Sequence, residues 1–449
     1  MDKFNELRNK YPEFIYSNYN IDYSTDKYII TYDFEIPGLC SFHPEIKINK
    51  SIVKNPNINN DLFKYIVFHI GLIEAISYYK TTCSPNMTIK CGYLDEEQIS
   101  WYKDLIFNGL GELLYKNEIN TTKDSLVDIK TEGSTFNINT TYNGIGNLIP
   151  VGGGKDSCVT LELLKNEDNN SCFIINPKSP SILCAQTAGY GEENILTVER
   201  KIDPELLRLN NEGFINGHTP FSALVAFISY LCAYLSNKKN IVLSNESSAN
   251  QPTVPGSNIN HQYSKSFEFE KKFDEYTKKN FKIDLNYFSL LRGISEYQIG
   301  MLFSKYKKYH QIFKSCNLGS KTEPWTWCCN CPKCLFVYII LSPHLYKDEL
   351  INIFGQDLYE REDLLEIFID TIGEGKTKPF ECVGTIEEAK FAISTLINKL
   401  DRDNLPYLLN YYYKNYPLYL DEKNILTYND ENNLNEYHKK LVMEALNND

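Results

Sequence analysis

The sequence predicts an α/β protein whose central unit is a parallel sheet covered by helices. Three observations support this prediction. From about residue 145, short apolar segments typical of buried strands alternate with helical patterns, a glycine-rich stretch joins the first strand to the first helix, and helical periodicity dominates after about residue 340. At 449 residues the chain exceeds one ordinary core. We therefore expect an N-terminal α+β domain (1–140), the sheet domain (141–340) and a mostly helical C-terminal region (341–449).

The N-terminal domain is predicted from one strand pair and two helices. Residues 28–49 alternate apolar and polar side chains on both sides of a Pro-Gly break, which is typical of two strands joined by a turn. Apolar residues recur at helical steps in 61–80 and again in 95–117. The polar stretch 117–144 is the expected boundary with the next domain.

The sheet domain is predicted from three strands and the helices between them. The strands are IGNLIPV, SCFIIN and KNIVLSNE, which begin at residues 145, 171 and 239. A helix over DSCVTLELLK follows the first strand, and a long apolar helix begins at residue 221. Alternation of this kind is typical of a parallel sheet with helices on both faces.

Composition predicts a cytoplasmic protein that binds neither nucleic acid nor a membrane. A net charge of −12 disfavours a general nucleic-acid-binding surface. The first residues lack the apolar core of a signal peptide, and the most apolar stretch, 221–235, is shorter than the ~20 residues that cross a bilayer. Thirteen cysteines without a secretion signal favour reduced thiols or a metal site.

The stretch PVGGGKDS, residues 150–157, is typical of a phosphate-binding turn between a strand and a helix. Glycines let backbone N–H groups approach a ligand closely, and a helix N-terminus attracts anions. The alternative is an ordinary tight turn that Asp156 or Ser157 caps. The spacing is neither that of a Walker loop nor GxGxxG. The predicted cradle consists of Gly152, Gly153, Gly154, Lys155 and Ser157.

This stretch resembles the loop of the PP-loop ATP pyrophosphatases, Ser-Gly-Gly-x-Asp-Ser after the first strand of an adenine-nucleotide α-hydrolase fold. Gly153, Gly154, Asp156 and Ser157 match the pattern, whereas Gly152 stands where the serine usually does. The resemblance implies that ATP is cleaved between its α and β phosphates, AMP is transferred to a substrate oxygen and pyrophosphate is released. Asp156 is then the implied contact of Mg²⁺.

Three further stretches sharpen the resemblance, at residues 244–273, at residues 324–345, which begin with PWTWCCNCPKC, and at residues 378–384 (KPFECVG). Together with GGGKDS they resemble the ATP-dependent UDP-N-acetylmuramoyl-L-alanyl-L-glutamate epimerases over about residues 145–385. That family inverts the terminal L-Glu of UDP-MurNAc-L-Ala-L-Glu to D-Glu during peptidoglycan precursor synthesis. Adenylation removes the negative charge of the carboxylate, so that the carbonyl can accept the electrons of the α-carbanion.

Such a reaction needs acid/base groups. His261, Tyr263 and Lys265 lie in a polar, loop-like run where catalytic groups often occur, and histidine titrates near neutrality. His218 precedes the helix that begins near residue 220, and Cys382 is a candidate because racemases without cofactors use cysteines. The alternatives are loop hydrogen bonding for His261, helix-start structure for His218 and simple burial for Cys382.

Further ligand contacts are expected at strand ends and on cationic side chains. Asn245 and Glu246 follow a predicted strand, at the position where open α/β sheets bind ligands. Lys265, Lys271 and Arg292 are candidates for binding the substrate's anionic groups.

Four cysteines predict a structural zinc site, namely Cys316, Cys328, Cys331 and Cys334. The 7-cyano-7-deazaguanine synthases, another PP-loop family, have a similar four-cysteine zinc site. Cys329 is an alternative fourth ligand, and free thiols or an iron–sulfur cluster are alternative states of the cluster.

Two other functions are consistent with parts of the sequence. One is a PP-loop enzyme that adenylates a nucleobase or tRNA, which the cysteine cluster suits but the acidic composition disfavours. The other is a nucleotide-binding protein in which glycine at position 152 has abolished turnover.

Overall fold

The computed structural model describes residues 2–254, 256–319 and 325–447, and its sheet contains eleven strands. The strands are β1 (Glu13–Asp22), β2 (Lys27–Ile36), β3 (Cys40–Phe42), β4 (Glu45–Asn49), β5 (Asn86–Ile89), β6 (Asp128–Thr131), β7 (Asn147–Pro150), β8 (Ser171–Ile175), β9 (Ile195–Lys201), β10 (Asn240–Leu243) and β11 (Asn286–Ser289).

The helices of the described residues follow in chain order. They are α1 (Lys3–Lys10), α2 (Asn60–Tyr79), α3 (Glu96–Gly109), α4 (Gly111–Lys116), α5 (Lys123–Leu126), α6 (Lys155–Leu164), α7 (Ser179–Thr187), α8 (Pro204–Asn211), α9 (Phe221–Leu235), α10 (Phe267–Phe281), α11 (Glu296–Lys305), α12 (Pro332–Leu341), α13 (Lys347–Phe354), α14 (Leu365–Thr371), α15 (Ile386–Ile397), α16 (Tyr407–Asn415), α17 (Glu422–Leu426) and α18 (Glu436–Asn447).

The predicted α/β class is confirmed, and the sheet as a whole is mixed. Its order is β11-β10-β7-β8-β9-β4-β2-β1-β5-β6, with β3 paired to β2. The five strands from β11 to β9 run parallel to one another, whereas β4 pairs antiparallel with both β9 and β2. The first 140 residues therefore share one continuous sheet with the residues that come after them.

The strand and helix predictions in the first 140 residues hold with two local differences. The second predicted strand is divided into β3 and β4, with Pro44 between them, because proline has no N–H group to donate to a strand ladder. The predicted helix over 95–117 is divided into α3 and α4 at Leu110.

Two hydrophobic cores cover the two faces of the sheet. Leu148 belongs to the core beneath α2, α9 and α10, whereas its neighbour Ile149 belongs to the core formed with α6, α11 and α12. Successive residues of a strand point to opposite faces, which explains the alternation. The C-terminal helices pack on the second core, where Ala389, Leu408 and Val442 are fully buried.

The connectivity of the parallel strands creates a crevice at β7. The chain runs from β7 to β8 on one side, and later places β10 on the other side. In open α/β sheets, ligands bind at the carboxyl ends of the strands where the order reverses. No helix among the described residues has both the length and the apolar character that a membrane crossing requires.

Candidate active site

A cavity of about 390 Å³ lies at this crevice, beyond the carboxyl ends of β7, β8 and β10. Phe173, Ile175 and Phe221 form part of its apolar wall. The residues predicted from sequence that line it are Gly152, Gly154, Asp156, Ser157, Asn245, Glu246 and Lys265. Three separate stretches of the sequence therefore converge at the position where a parallel sheet binds its ligand.

The glycine turn is held in shape by its neighbours. Gly153 has φ +88°, and a Cβ atom there would lie 2.7 Å from the Ser181 nitrogen. The Lys314 N–H donates to the Gly153 carbonyl at 2.8 Å. Gly152 differs, because a Cβ added to it meets no described atom within 4 Å. The torsion at Gly153 therefore requires glycine, while the position of Gly152 has room for a side chain.

Helix α6 begins in this turn with its N-terminus at the cavity. Gly154 is its N-cap residue and provides no side-chain cap in the described structure. The hydroxyl of Ser157 donates to the Gly154 carbonyl at 2.9 Å. The N–H groups of the first turn are thus available to an anionic ligand, and the helix dipole favours one.

The ammonium group of Lys155 lies beneath the cavity and not along its wall. The side chain is 1% exposed and contacts the carboxylates of Glu296 and Asp156. Burial acts to lower the pKa of Lys155, but the two carboxylates raise it overall. Burial acts to raise the pKa of Asp156, and Lys155 lowers it overall. Lys155 therefore joins the start of α6 to the start of α11, and Asp156, one-quarter exposed, faces the cavity.

Glu296 and Glu388 extend this buried network, and sequence reasoning did not identify either of them. Burial raises the pKa of Glu296 to about 8, although Lys155 opposes the shift. The Glu296 N–H donates to the carboxylate of Glu388 at 2.7 Å. The spacing of Ser295 and Gln298 predicts the capping box at the start of α11, but no sequence signal predicts the contact with Lys155.

Cys382 lies beside the cavity, in contact with two cationic side chains. The Lys265 ammonium donates to the Cys382 sulfur at 3.2 Å, and His261 lies close enough to this sulfur to help lower its pKa. Burial acts to raise the pKa of Cys382, but Lys265, His261 and Lys333 outweigh burial and lower it to about 6. Cys382 is therefore a thiolate at neutral pH, which distinguishes it from an ordinary buried cysteine.

The imidazole of His261 connects Cys382 to a carboxylate. Its Nδ1 atom contacts Glu112, whose side chain is 6% exposed. Burial acts to lower the pKa of His261, but Cys382 and Glu112 raise it to about 9. Burial acts to raise the pKa of Glu112, but His261 and Lys116 lower it to about 2. Four charged groups, Glu112, His261, Cys382 and Lys265, form a continuous chain that we call the thiolate cluster.

Glu112 was not identified from the sequence. It lies on α4, 149 residues before its partner His261, and forms no motif with it. His218 also lies here, with its ring centroid 4.3 Å from that of His261. Burial, aided by the charge on His261, lowers the pKa of His218 to about 4. His218 is thus a neutral neighbour of the thiolate cluster.

Glu112, His218 and His261 bring three ligand-type atoms within 4.8 Å of one another. We assign no metal to this group because the contact of Glu112 with His261 already uses the His261 Nδ1 atom. In addition, the Lys116 ammonium contacts the same carboxylate. Positive charges on both sides make this a hydrogen-bonded ion-pair network.

Three other residues predicted from the sequence are not part of the thiolate cluster. Two of them lie elsewhere, and the third forms hydrogen bonds to backbone carbonyls. The Tyr263 hydroxyl donates to Asp104 at 3.2 Å and is not part of the thiolate cluster. Lys271 is exposed on α10. Arg292 is fully buried and donates to the carbonyls of Glu246 and Lys265, at 2.8 and 2.6 Å. It holds the backbone of two site residues in place.

The four cysteines predicted to bind zinc do come together. Their sulfur atoms lie 4.0 Å apart for Cys316 and Cys331, 3.7 Å for Cys328 and Cys334, and 3.5 Å for Cys331 and Cys334. Tetrahedral zinc with bonds of about 2.3 Å requires sulfur separations of about 3.8 Å. Cys329 is excluded from the set because its sulfur donates to the Phe354 carbonyl at 3.3 Å. The donor set therefore fits a tetrahedral zinc ion.

Comparisons with known proteins cover nearly the whole chain. The MurL N-terminal domain family matches residues 5–290, and the MurL C-terminal domain family matches residues 312–422. The UDP-N-acetyl-alpha-D-muramoyl-L-alanyl-L-glutamate epimerase of Xanthomonas oryzae pv. oryzae is 32% identical over 339 residues, 74% of each chain. The enzyme of the same name from Micromonospora sp. is 30% identical over 398 residues, 87% of this chain and 88% of that one.

Proposed function

The chain belongs to the MurL family, and on that premise we propose that it converts the terminal L-Glu of UDP-MurNAc-L-Ala-L-Glu to D-Glu with consumption of ATP. This is an isomerase reaction of peptidoglycan precursor synthesis. The observation that carries the proposal is the adjacency of two sites. A cavity bordered by a glycine turn and a helix N-terminus lies at the strand ends, and the thiolate cluster lies beside it, with Lys265 common to both.

ATP is the proposed occupant of the cavity. We propose that the five parallel strands form an adenine-nucleotide α-hydrolase-like PP-loop fold, with phosphates bound by the turn over 152–154 and by the N-terminus of α6. Asp156, and with it Glu246 on the opposite wall, would hold Mg²⁺, since carboxylate oxygens are the ligands it prefers. The ion supplies positive charge to the phosphates that are being separated.

ATP bound in the cavity would activate the carboxylate of the substrate's terminal glutamate. The substrate carboxylate attacks the α-phosphate of ATP and becomes an acyl-adenylate, and pyrophosphate leaves. Because Lys265 extends from the cavity wall to Cys382, an acyl group attached at the strand ends has its α-carbon on the side of the thiolate cluster. We propose that this cluster carries out the inversion.

An enzyme that consumes ATP needs a compartment that contains it, and we propose the cytoplasm.

The alternative functions have less support. A nucleobase- or tRNA-modifying enzyme is favoured mainly by the four cysteines. A structural zinc site accounts for these cysteines whichever substrate the enzyme acts on. A non-catalytic nucleotide-binding protein would not require a charged Glu112, His261 and Cys382 network beside the cavity.

We propose that Cys316, Cys328, Cys331 and Cys334 hold a structural Zn²⁺. The ion would link Cys316 and Cys328, which precede α12, to Cys331 and Cys334 at the start of that helix. The purified protein should contain about one zinc per chain. Cys331→Ser should lose that zinc and unfold at a lower temperature, whereas Cys329→Ser should keep it. Equal zinc content in the two variants would contradict the assignment.

The reaction is tested directly in deuterium oxide. The protein is incubated with ATP, Mg²⁺ and UDP-MurNAc-L-Ala-L-Glu, and the terminal glutamate is analysed for chirality and deuterium content. We expect D-Glu with one deuterium at the α-carbon, and formation of AMP and pyrophosphate that depends on the dipeptide substrate. The control substrate, UDP-MurNAc-L-Ala, lacks the glutamate. Formation of D-Glu without consumption of ATP would refute the proposed function.

A further inference from the structure

We propose that Cys382 is a nucleophile that takes the glutamyl acyl group from AMP as a thioester, and that the α-carbon is inverted while it is attached to this sulfur. The proposal rests on the proposed function, because an acyl-adenylate must first form in the cavity. Its basis is the arrangement of Lys265, Cys382, His261 and Glu112, in which an ammonium donates to a thiol sulfur and a carboxylate contacts the imidazole next to that sulfur.

This arrangement is that of an activated nucleophile. In such sites a general base is hydrogen-bonded to the nucleophile and a third group orients the base. Here Glu112 orients His261, and Lys265 adds a second positive charge 3.2 Å from the sulfur. Burial raises the pKa of Cys83 and of Cys232, whereas the cations next to Cys382 outweigh the effect of burial there.

The Cys382 thiolate lies in a suitable position to receive the acyl group from an adenylate bound in the cavity. Lys265 lines the cavity together with Asp156 and Glu246, and the same ammonium donates to the Cys382 sulfur. The Cys382 carbonyl accepts a hydrogen bond from Lys333, and the pKa of Asp156 is also lowered by Lys333, after the larger effect of Lys155. Lys265 and Lys333 therefore lie close both to Cys382 and to the end of the cavity that is proposed to bind phosphate.

The proximity of Cys382 and His261 disfavours the simpler mechanism in which they serve as two bases. Two bases that invert a carbon stand on opposite sides of it, whereas this sulfur and this imidazole are close neighbours that shift each other's pKa. In the thioester the same proximity is useful. The α-carbon is then two bonds from the sulfur, and the imidazole beside the sulfur is within reach of the α-proton.

The steps balance in atoms and charge. The thiolate attacks the carbonyl carbon, the S–C bond forms, and the C–O bond breaks as AMP leaves with its electron pair. The imidazolium of His261 gives its proton to AMP and then takes the α-proton. The electron pair moves to the carbonyl oxygen, where the charge of Lys265 stabilises the enolate.

The return of the proton and hydrolysis complete the cycle. A water molecule on the opposite face returns a proton to the α-carbon, and the proton that His261 took restores that water. A second water then breaks the S–C bond, releases the D-glutamyl carboxylate and regenerates the thiolate. One of the two protons released returns His261 to the imidazolium.

Rapid acid quenching during the first turnover tests the thioester. The wild-type protein, mixed with ATP, Mg²⁺ and UDP-MurNAc-L-Ala-L-Glu, should gain the mass of the substrate less one water. The added mass should map to the peptide that contains Cys382 and be removed by neutral hydroxylamine. AMP should form in a burst of about one per active site before D-Glu does, as expected of a covalent intermediate.

Two variants accompany the wild type. Cys382→Ala should keep exchange of labelled pyrophosphate into ATP that depends on the dipeptide substrate, but should form no adduct and lose D-Glu production by about 10³-fold or more. Cys40→Ser alters a partly buried cysteine on β3, outside the site, and should retain both the adduct and turnover.

The outcomes separate the two proposals. A wild-type protein that exchanges pyrophosphate and forms D-Glu without an adduct, and without a burst of AMP, overturns the thioester and leaves the proposed function standing. A wild-type protein without pyrophosphate exchange overturns the proposed function and the thioester with it. The burst is measured on the wild type, so this test stands even where the alanine variant does not fold.

Discussion

The two halves of the proposed active site are built in different ways. The strand-end cavity is bordered on one side by a turn of consecutive residues, 150–157, whose backbone sets the shape of the turn. The thiolate cluster is assembled from Glu112, His261, Lys265 and Cys382, which are far apart in the sequence and are joined by charge. A short motif can thus specify an anion-binding turn, whereas the reactivity of a single cysteine depends on the whole fold.

Because the two halves are built separately, we expect substitutions in the two halves to affect different activities. Pyrophosphate exchange reports on the cavity alone, while D-Glu formation reports on both halves. A change at the cavity should therefore abolish both activities. A change in the thiolate cluster, other than at Lys265, which also lines the cavity, should spare exchange and slow or abolish inversion.

Asp156→Asn should have the largest effect. The substitution removes the carboxylate that faces the cavity and would hold Mg²⁺, and it removes one partner of Lys155. We expect pyrophosphate exchange and D-Glu formation both to fall by about 10³-fold. Asp124→Asn, on an exposed side chain of α5, is the matched control and should be unchanged. Retention of exchange in Asp156→Asn would mean that the cavity is not where adenylation occurs.

Lys265→Met should move the acid limb of the pH profile. Thiolate is the reactive form, and Lys265 holds the pKa of Cys382 at about 6 against the effect of burial. Without that ammonium the thiol pKa should rise toward its ordinary value of about 8.5, so that D-Glu formation at pH 7 falls by about 10-fold or more. Raising the pH to about that value should restore the thiolate and part of the activity, while the part lost with the charge that stabilises the enolate should not return. An acid limb that does not move would show that Cys382 does not limit the rate.

Glu112→Gln should move the opposite limb. The carboxylate helps to keep the pKa of His261 at about 9, second only to the effect of Cys382. A neutral amide stabilises the imidazolium less, so the imidazole should lose its proton at lower pH and the alkaline limb should shift downward. We expect a loss of about 10-fold in D-Glu formation at pH 8, with pyrophosphate exchange preserved. An alkaline limb that remains near its original pH would restrict Glu112 to a packing role.

The same contrast explains which features the sequence predicts. Three of the five parallel strands, β7, β8 and β10, and the glycine turn follow from local patterns, and the four cysteines follow from close spacing, whereas β9 and β11 were not identified from the sequence. The pairing of β4 with β9 joins residues about 150 apart, and periodicity carries no signal for it. The position of Lys155 in the glycine-rich motif predicts a phosphate ligand, but Glu296 on another helix draws its ammonium beneath the cavity.

A local sequence pattern also does not predict which way neighbouring side chains point within a turn. Tyr263 and Lys265 belong to one polar run, and the sequence makes each of them an acid/base candidate. The chain forms a short 3-10 turn over Tyr263–Lys265, so Tyr263 reaches Asp104 while Lys265 reaches Cys382. Residues two apart in such a turn face different surroundings, which a pattern of polar residues does not reveal.

Gly152→Ser should have the smallest effect, and it tests how much of the cavity is set by backbone shape. An added side chain at this position meets open space, and a serine would restore the hydroxyl that the PP-loop pattern usually places there. We expect KM for ATP to change by about 3-fold or less, since one hydrogen bond to a ligand contributes little net free energy. Gly153→Ala is the contrast, because φ is +88° and the new Cβ would lie 2.7 Å from the Ser181 nitrogen. It should weaken pyrophosphate exchange by about 10-fold or more, because alanine is strained in this backbone conformation. Equal effects at the two glycines would show that bulk at the cavity, and not the torsion of the turn, limits the binding of ATP.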